Sequence, residues 1–219
     1  MNNFMYVPKR EYQQVKINLI KLINLVQNDV RNHFTFQYKF IGSSSRNMIT
    51  IDEKCNTGYD FDVNLFINDY NNDYTPEELK TILINGFNKH KKLFSYDKIE
   101  DSKRVITIKV IDHNHSKILH SCDFAIVNEY TDDNGYKSQE YIHYNKRQGT
   151  YEWQEQSKGF YTLPNKADQL KKAGLWQLVR DTYIDKKNHN SNPYKKSRSL
   201  YAETINEVYK ARICPKFIQ

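Results

Sequence analysis

Glycine and proline are scarce in this chain, 7 and 5 residues out of 219. That excludes collagen-like and linker-like sequences, which need far more of both. Long apolar runs are absent as well. No stretch approaches the roughly 20 residues that span a bilayer, and Met1 to Arg10 contains no apolar signal-peptide segment. Cysteine is limited to Cys55, Cys122 and Cys214. Three distant thiols build neither a disulfide framework nor a C-x-x-C metal knuckle. A cytoplasmic protein with no membrane partner is therefore the expectation.

Apolar residues reach only 38%, but aromatics make up 14%, with 17 Tyr and 11 Phe. Much of the core must then be built from rings, whose large burial compensates for few aliphatics. The length allows one domain, or a core with a small lobe, and is enough to bury a real interior. The net charge is +7, from 33 Lys and Arg against 26 Asp and Glu. Abundant Asn, Lys, Ile and Tyr resemble the product of AT-rich codons, so the charge alone does not imply an anionic partner.

The hydropathy period changes along the chain. From Glu11 to Asn32, Tyr12, Val15, Leu19, Leu22, Ile23, Val26 and Val30 recur at spacings of three and four, the stripe of an amphipathic helix. Phe34, Phe36, Tyr38 and Phe40 then alternate with polar residues as a strand. A second strand follows at Tyr59–Ile67, with Phe61, Val63, Leu65 and Ile67 on one side and Asp60, Asp62 and Asn64 on the other. Thr75-Pro76-Glu77-Glu78 has the form of a capping box opening a helix. Arg104–Ile111 and Lys117–Tyr130 read as strands. Asp132-Asp133-Asn134-Gly135 reads as the turn of a hairpin that returns through Tyr141–Tyr144. Helical spacing resumes at Asn165 with Leu170, Ala173, Leu178, Val179 and Tyr183, and again at Leu200, Ile205 and Val208. Lys186–Lys196 reads as a polar loop. The order predicts an α+β fold, with a mixed β-sheet core over residues 1–155 and a small helical lobe over 156–219.

The chemistry concentrates in three places. Asp60 and Asp62 are two apart on one strand, so both carboxylates leave the same face. Adjacent carboxylates repel unless a cation lies between them. Mg²⁺, or Mn²⁺, suits such oxygen ligands and shares its shell with substrate phosphates. Asp123 lies in the apolar run Ser121–Val127, where an ionised acid is costly unless paired or metal-bound. It is a candidate third ligand and a candidate base for an attacking hydroxyl. Gly42-Ser43-Ser44-Ser45 follows the first strand. Glycine permits close backbone approach, the serines supply donors to phosphate oxygens, and Arg46 adds charge.

Gly42-Ser43 after a strand, Asp60-x-Asp62 on the next, and a distant strand acid, Asp123, resemble the DNA polymerase β-like nucleotidyltransferase superfamily. Within it the similarity is to the group of oligoadenylate synthases, cGAS and bacterial CD-NTases. It covers about Phe34 to Val127. The resemblance implies a two-metal transferase in which Asp60, Asp62 and Asp123 hold Mg²⁺ and Gly42, Ser43, Ser44 and Arg46 hold the triphosphate of an NTP. It further implies that Ser199 contacts phosphate and Tyr201 stacks on the base from the helical lobe. The acceptor hydroxyl is left open among a second nucleotide, which would give a nucleotide second messenger, and an antibiotic, a protein or an RNA end. The sequence departs from the group at Arg46-Asn47-Met48, where Gly-Thr is common, and has no zinc-binding His/Cys module.

Other features read more plainly. Asp112-His113-Asn114-His115 fits a polar turn better than a zinc site. The pairs Lys171-Lys172, Lys186-Lys187 and Lys195-Lys196 fit solvated faces better than nucleic-acid contacts. Trp153 and Trp176 read as core anchors. The rival functional class is an inactive nucleotide- or nucleic-acid-binding protein on the same fold.

Overall fold

A computed structural model of the chain describes residues 2–55, 57–69, 71–133 and 135–213. Asn134 of the expected hairpin turn and Cys214 lie outside the described residues. The elements run β1 (Phe4–Tyr6), α1 (Lys9–Val30), β2 (Thr35–Ile41), α2 (Gly42–Ser45), β3 (Thr50–Asp52), β4 (Tyr59–Asn68) and α3 (Pro76–His90). After a 3₁₀ turn come β5 (Lys98–Asp101), β6 (Ile106–Asp112), β7 (Lys117–Thr131), β8 (Lys137–Asn145), β9 (Thr150–Glu155), α4 (Lys158–Lys172), α5 (Trp176–His189) and α6 (Ser197–Ile213). No helix among the described residues is long and apolar enough to cross a membrane. The chain divides into two compact units, one of residues 7–51 and 55–156, the other of residues 1–6, 52–54 and 157–219.

The larger unit is a seven-stranded mixed sheet in the order β2-β4-β7-β6-β5, with β8 pairing β7 and β9 pairing β8. Only β4 and β7 run parallel; β2–β4, β6–β7 and β7–β8 are antiparallel. One sheet face is apolar, because every second residue of β4, β6 and β7 is Phe, Val, Leu, Ile or Cys: Phe61, Val63, Leu65, Ile106, Ile108, Cys122, Phe124 and Ile126 are all buried. The expected stripe of α1 covers this face with Leu19, Leu22, Ile23, Val26 and Val30, and α3 adds Leu79, Leu83 and Phe87. The Phe87 and Phe124 rings meet at 4.4 Å. Thr75 and Glu78 form the capping box read from the sequence, with Pro76 opening the helix. Helix α3 also buries a charge. Lys80 is 2% exposed and bonds Asp101 at 2.5 Å and the Ser102 carbonyl at 2.6 Å, tying α3 to the end of β5.

In the smaller unit, Leu170 of α4, Val179 and Tyr183 of α5, and Leu200, Tyr201, Ile205 and Val208 of α6 are buried. Helix α4 starts at Lys158, not Asn165, because Pro164 is carried inside it and not at its end. It stops at Gly174, whose φ of +73° is the left-handed conformation a Schellman ending requires. The Leu175 N–H closes that ending on the Leu170 carbonyl at 3.0 Å. Helix α5 extends through Lys186–His189, which were expected in a loop. Leu178 is exposed, not on the packed face. Asn188 clamps the backbone of β1, accepting from the Phe4 N–H at 2.6 Å and donating to its carbonyl at 3.1 Å.

Candidate active site

Opposite the apolar face, the sheet presents polar residues at the same alternation. On β4 these are Asp60, Asp62 and Asn64; on β7, Ser121 and Asp123; on β6, Thr107 and Lys109. The register brings them into rows: Asp60 faces Ser121 and Asp62 faces Asp123 across the parallel pair. Across the antiparallel pair, Thr107 faces Asp123 and Lys109 faces Ser121. Asp62 and Asp123, 61 positions apart in sequence, are thus side-by-side partners at the centre of the sheet.

The Gly-Ser turn closes one edge of this cluster. Strand β2 ends opposite Asp62, with Ile41 as its register partner, and the chain turns directly at Gly42. The Gly42 φ is +63°, and a Cβ built there would lie 1.9 Å from Asp62 Oδ2. Only glycine permits both the left-handed backbone and this approach to the carboxylate. The Ser43 carbonyl accepts the backbone N–H groups of Arg46 and Met48 at 3.2 and 2.9 Å, which compacts the turn. Ser43 is half-buried. Ser44 differs from expectation: it is buried at 3% exposure and donates its hydroxyl to the Ile41 carbonyl at 3.0 Å, so that hydroxyl stabilises the turn and does not face outward. Ser45, exposed, likewise donates to the Gly42 carbonyl at 3.0 Å. Arg46 is half-buried at the end of the turn.

Two of the acids are held by hydroxyl groups from the adjacent strand. Ser121 Oγ donates to Asp60 Oδ1 at 2.6 Å, and Thr107 Oγ1 donates to Asp123 Oδ1 at 2.6 Å. Asp60 is exposed, whereas Asp62 and Asp123 are half-buried. Burial holds the Asp123 carboxyl above the usual range; the Thr107 hydrogen bond opposes that rise and the charge of Asp60 adds to it. Lys109, beside Ser121, is engaged by Glu100 at 2.6 Å. Among the described residues, no group of three or more His, Cys, Asp or Glu is gathered as a metal cage. Cys122 points to the core, and burial with three nearby carboxylates pushes its thiol well up, as suits an inert sulfur.

The other singled-out residues belong to other elements. Ser199 is exposed on α6. Tyr201 is 5% exposed, its ring packed edge-on against Tyr183 at 6.1 Å. It is a core residue of the helical unit and offers no open face for a base. His113 and His115 each pair with a carboxylate, Asp97 at 3.1 Å and Asp112 at 2.7 Å, in the β6–β7 turn. Trp153 packs on the main core, while Trp176 is half-buried beneath the Lys171 ammonium at 4.9 Å. Thr107 was not singled out by sequence. Its signal was its polar slot between Ile106 and Ile108, but the facing partner depends on register.

No protein-family model matches the chain, and no curated protein matches it in sequence. Solved structures do. The fold is similar to the Bradyrhizobium diazoefficiens CD-NTase CdnG in complex with GTP, with a TM-score of 0.59 and 11% identity over 92% of this chain and 67% of that one. It is similar to the STING-associated CdnE c-di-GMP synthase from Capnocytophaga granulosa, with 0.57 and 18% over 97% and 66%. The GTP-bound form of Vibrio cholerae DncV gives 0.54 and 16% over 92% and 52%. The chain spans between about half and two thirds of the length of these proteins. At such identities the likeness is one of architecture: this chain has the CD-NTase fold, an α+β nucleotidyltransferase fold.

Proposed function

We propose that the protein is a metal-dependent nucleotidyltransferase that moves a nucleoside monophosphate from an NTP to an acceptor hydroxyl and makes a nucleotide second messenger. One observation carries the reading: the Gly42 turn packs against Asp62, which is the register partner of Asp123 and shares its face with Asp60. A phosphate-approachable turn and three acids meet on one sheet face, on a fold whose solved examples bind GTP.

The donor set fits Mg²⁺ or Mn²⁺. It consists of three carboxylates with no imidazole or thiolate, the hard oxygen set those ions prefer. Asp60, Asp62 and Asp123 would hold the ions. When bound, such ions neutralise the developing charge on the transferred phosphoryl group and its leaving group. The residues of the chain do the rest. Gly42 and Ser43 would lie against the triphosphate, with Arg46 adding positive charge. Asp123, whose Oδ1 accepts from the Thr107 hydroxyl, would ligate an ion and help to take up the proton of the acceptor hydroxyl. The test is incubation of the full chain with each NTP and Mg²⁺ or Mn²⁺, with separation of the products. Pyrophosphate and a new nucleotide product support the reading; intact NTP under every condition contradicts it.

A second reading rests on the distribution of charge. Residues 157–219 carry 13 Lys and Arg against 5 Asp and Glu, while residues 7–51 and 55–156 carry 19 of each. Codon bias would spread lysine along the whole chain, so segregation favours an anionic partner, a nucleic acid, for the helical unit. Binding to DNA or RNA that falls steeply with salt, without any turnover, would favour a binder over an enzyme.

A further inference from the structure

We infer that the hydroxyls of Thr107 and Ser121 position two of the three acids, and that the Thr107 hydroxyl sets the affinity of the site for a divalent cation. The inference rests on the metal-dependent reading above and goes beyond it by assigning a function to residues outside the acid triad. Each hydroxyl is the direct cross-strand partner of the acid it holds: Thr107 opposite Asp123, and Ser121 opposite Asp60. Both bonds are 2.6 Å, the short length of a hydroxyl donating to an ionised carboxylate. Each donor reaches one oxygen of its acid, Oδ1, and so fixes the orientation of that carboxylate.

The two positions differ in burial, and that decides which matters more. Thr107 is 7% exposed, and its β-branched side chain has little χ1 freedom within a strand. Water cannot easily replace it. Without its hydroxyl, Asp123 loses a donor in a half-buried setting, and its carboxyl is no longer held in one orientation. Asp60 is exposed, so water can take over from Ser121. Partners that orient metal-binding groups change metal affinity by about 10- to 100-fold when removed. The Thr107 bond belongs in that range, and the Ser121 bond falls below about threefold because water replaces it.

The experiment is a titration of the full chain with Mn²⁺ without NTP, reading free Mn²⁺ by electron paramagnetic resonance. Wild type, Thr107→Val, Thr107→Ser, Ser121→Ala and the Asp60→Asn/Asp62→Asn double variant are compared, with circular dichroism as a check on folding. Thr107→Val should weaken Mn²⁺ binding about tenfold or more. Thr107→Ser, which keeps the hydroxyl, should match wild type, and Ser121→Ala should stay within about threefold. If Thr107→Val does not fold, Thr107→Ala takes its place with the same expectation. Mn²⁺ binding that is unchanged or tighter without the Thr107 hydroxyl, while the double variant loses it, overturns the inference and leaves the metal site standing. Wild type and double variant that bind Mn²⁺ equally poorly overturn both.

Discussion

Gly42→Ala isolates the contact on which the candidate site depends. The substitution has two separable costs. At φ +63° any side chain pays the left-handed penalty, about 1–2 kcal/mol. In a chain of this size that lowers the melting temperature by roughly 5 °C. The second cost is local. The new Cβ would lie 1.9 Å from Asp62 Oδ2, where an ordinary contact begins at 3.4 Å, so turn and carboxylate must separate by about 1.5 Å. A displacement of that order at reacting groups lowers turnover by about 100-fold. Gly149→Ala is the matched control: its φ is +69°, and nothing lies within 4 Å of the added carbon. Both variants should melt below wild type, Gly42→Ala the lower of the two because of the added contact, and only Gly42→Ala should lose pyrophosphate release, assayed at a temperature where both are folded. Gly42→Ala with a rate within threefold of Gly149→Ala would refute the argument that the turn must touch Asp62.

Three further outcomes follow from the packing. Lys80→Ala breaks a buried ion pair and leaves a cavity, and should cost about 2–3 kcal/mol in urea unfolding, whereas Lys80→Met, which keeps the volume and leaves Asp101, 36% exposed, to water, should cost less than about 1; equal losses for the two would place the cost in the lost ion pair and not in the cavity. Tyr201→Ala should destabilise by about 3–5 kcal/mol and Tyr201→Phe by less than about 1, and a rise in KM for NTP in Tyr201→Phe at unchanged stability would return a ligand role to that residue. His120 stacks on Tyr59 at 5.9 Å, and burial lowers its pKa to about 4. The folded state therefore keeps the ring neutral while the unfolded chain protonates it near 6.5. This contribution is complete above about pH 6.5 and is lost as the pH falls toward about 4, a loss of about 1–2 kcal/mol once partial exposure is discounted. Urea midpoints at pH 7 and pH 4.5 should differ more for wild type than for His120→Phe; equal differences would rule His120 out as the source.

Local patterns were legible in the sequence wherever one face of an element is buried. The α1 stripe, the alternation of β2 and β4, and the Thr75 capping box each depend on neighbours in sequence, and the structure has all three. The shared face of Asp60 and Asp62 follows from strand geometry alone. That Asp123 stands beside Asp62, and Thr107 beside Asp123, does not. Register between strands distant in sequence is set by packing of the whole sheet, which one strand does not encode. The same limit explains Ser44 and Tyr201. Both are polar-tipped residues whose sequence context suits a ligand, but Ser44 turns back onto its own turn and Tyr201 fills the core of three helices. Strand β9 was missed because Thr150–Glu155 has only Tyr151 and Trp153 to mark its inner face. Helix α4 was started late because Pro164 resembles a boundary but lies within the helix.

The central claim is that Asp60 and Asp62 form a cation-dependent phosphoryl-transfer site. Its most direct measurement is pyrophosphate release by wild type and by the Asp60→Asn/Asp62→Asn double variant, across all four NTPs, with Mg²⁺ and with Mn²⁺, and with EDTA as the blank. Wild type should release pyrophosphate in a reaction that EDTA abolishes, and a double variant whose circular dichroism and melting match wild type should release none. Release that persists in the folded double variant, or that is indifferent to EDTA, would contradict it.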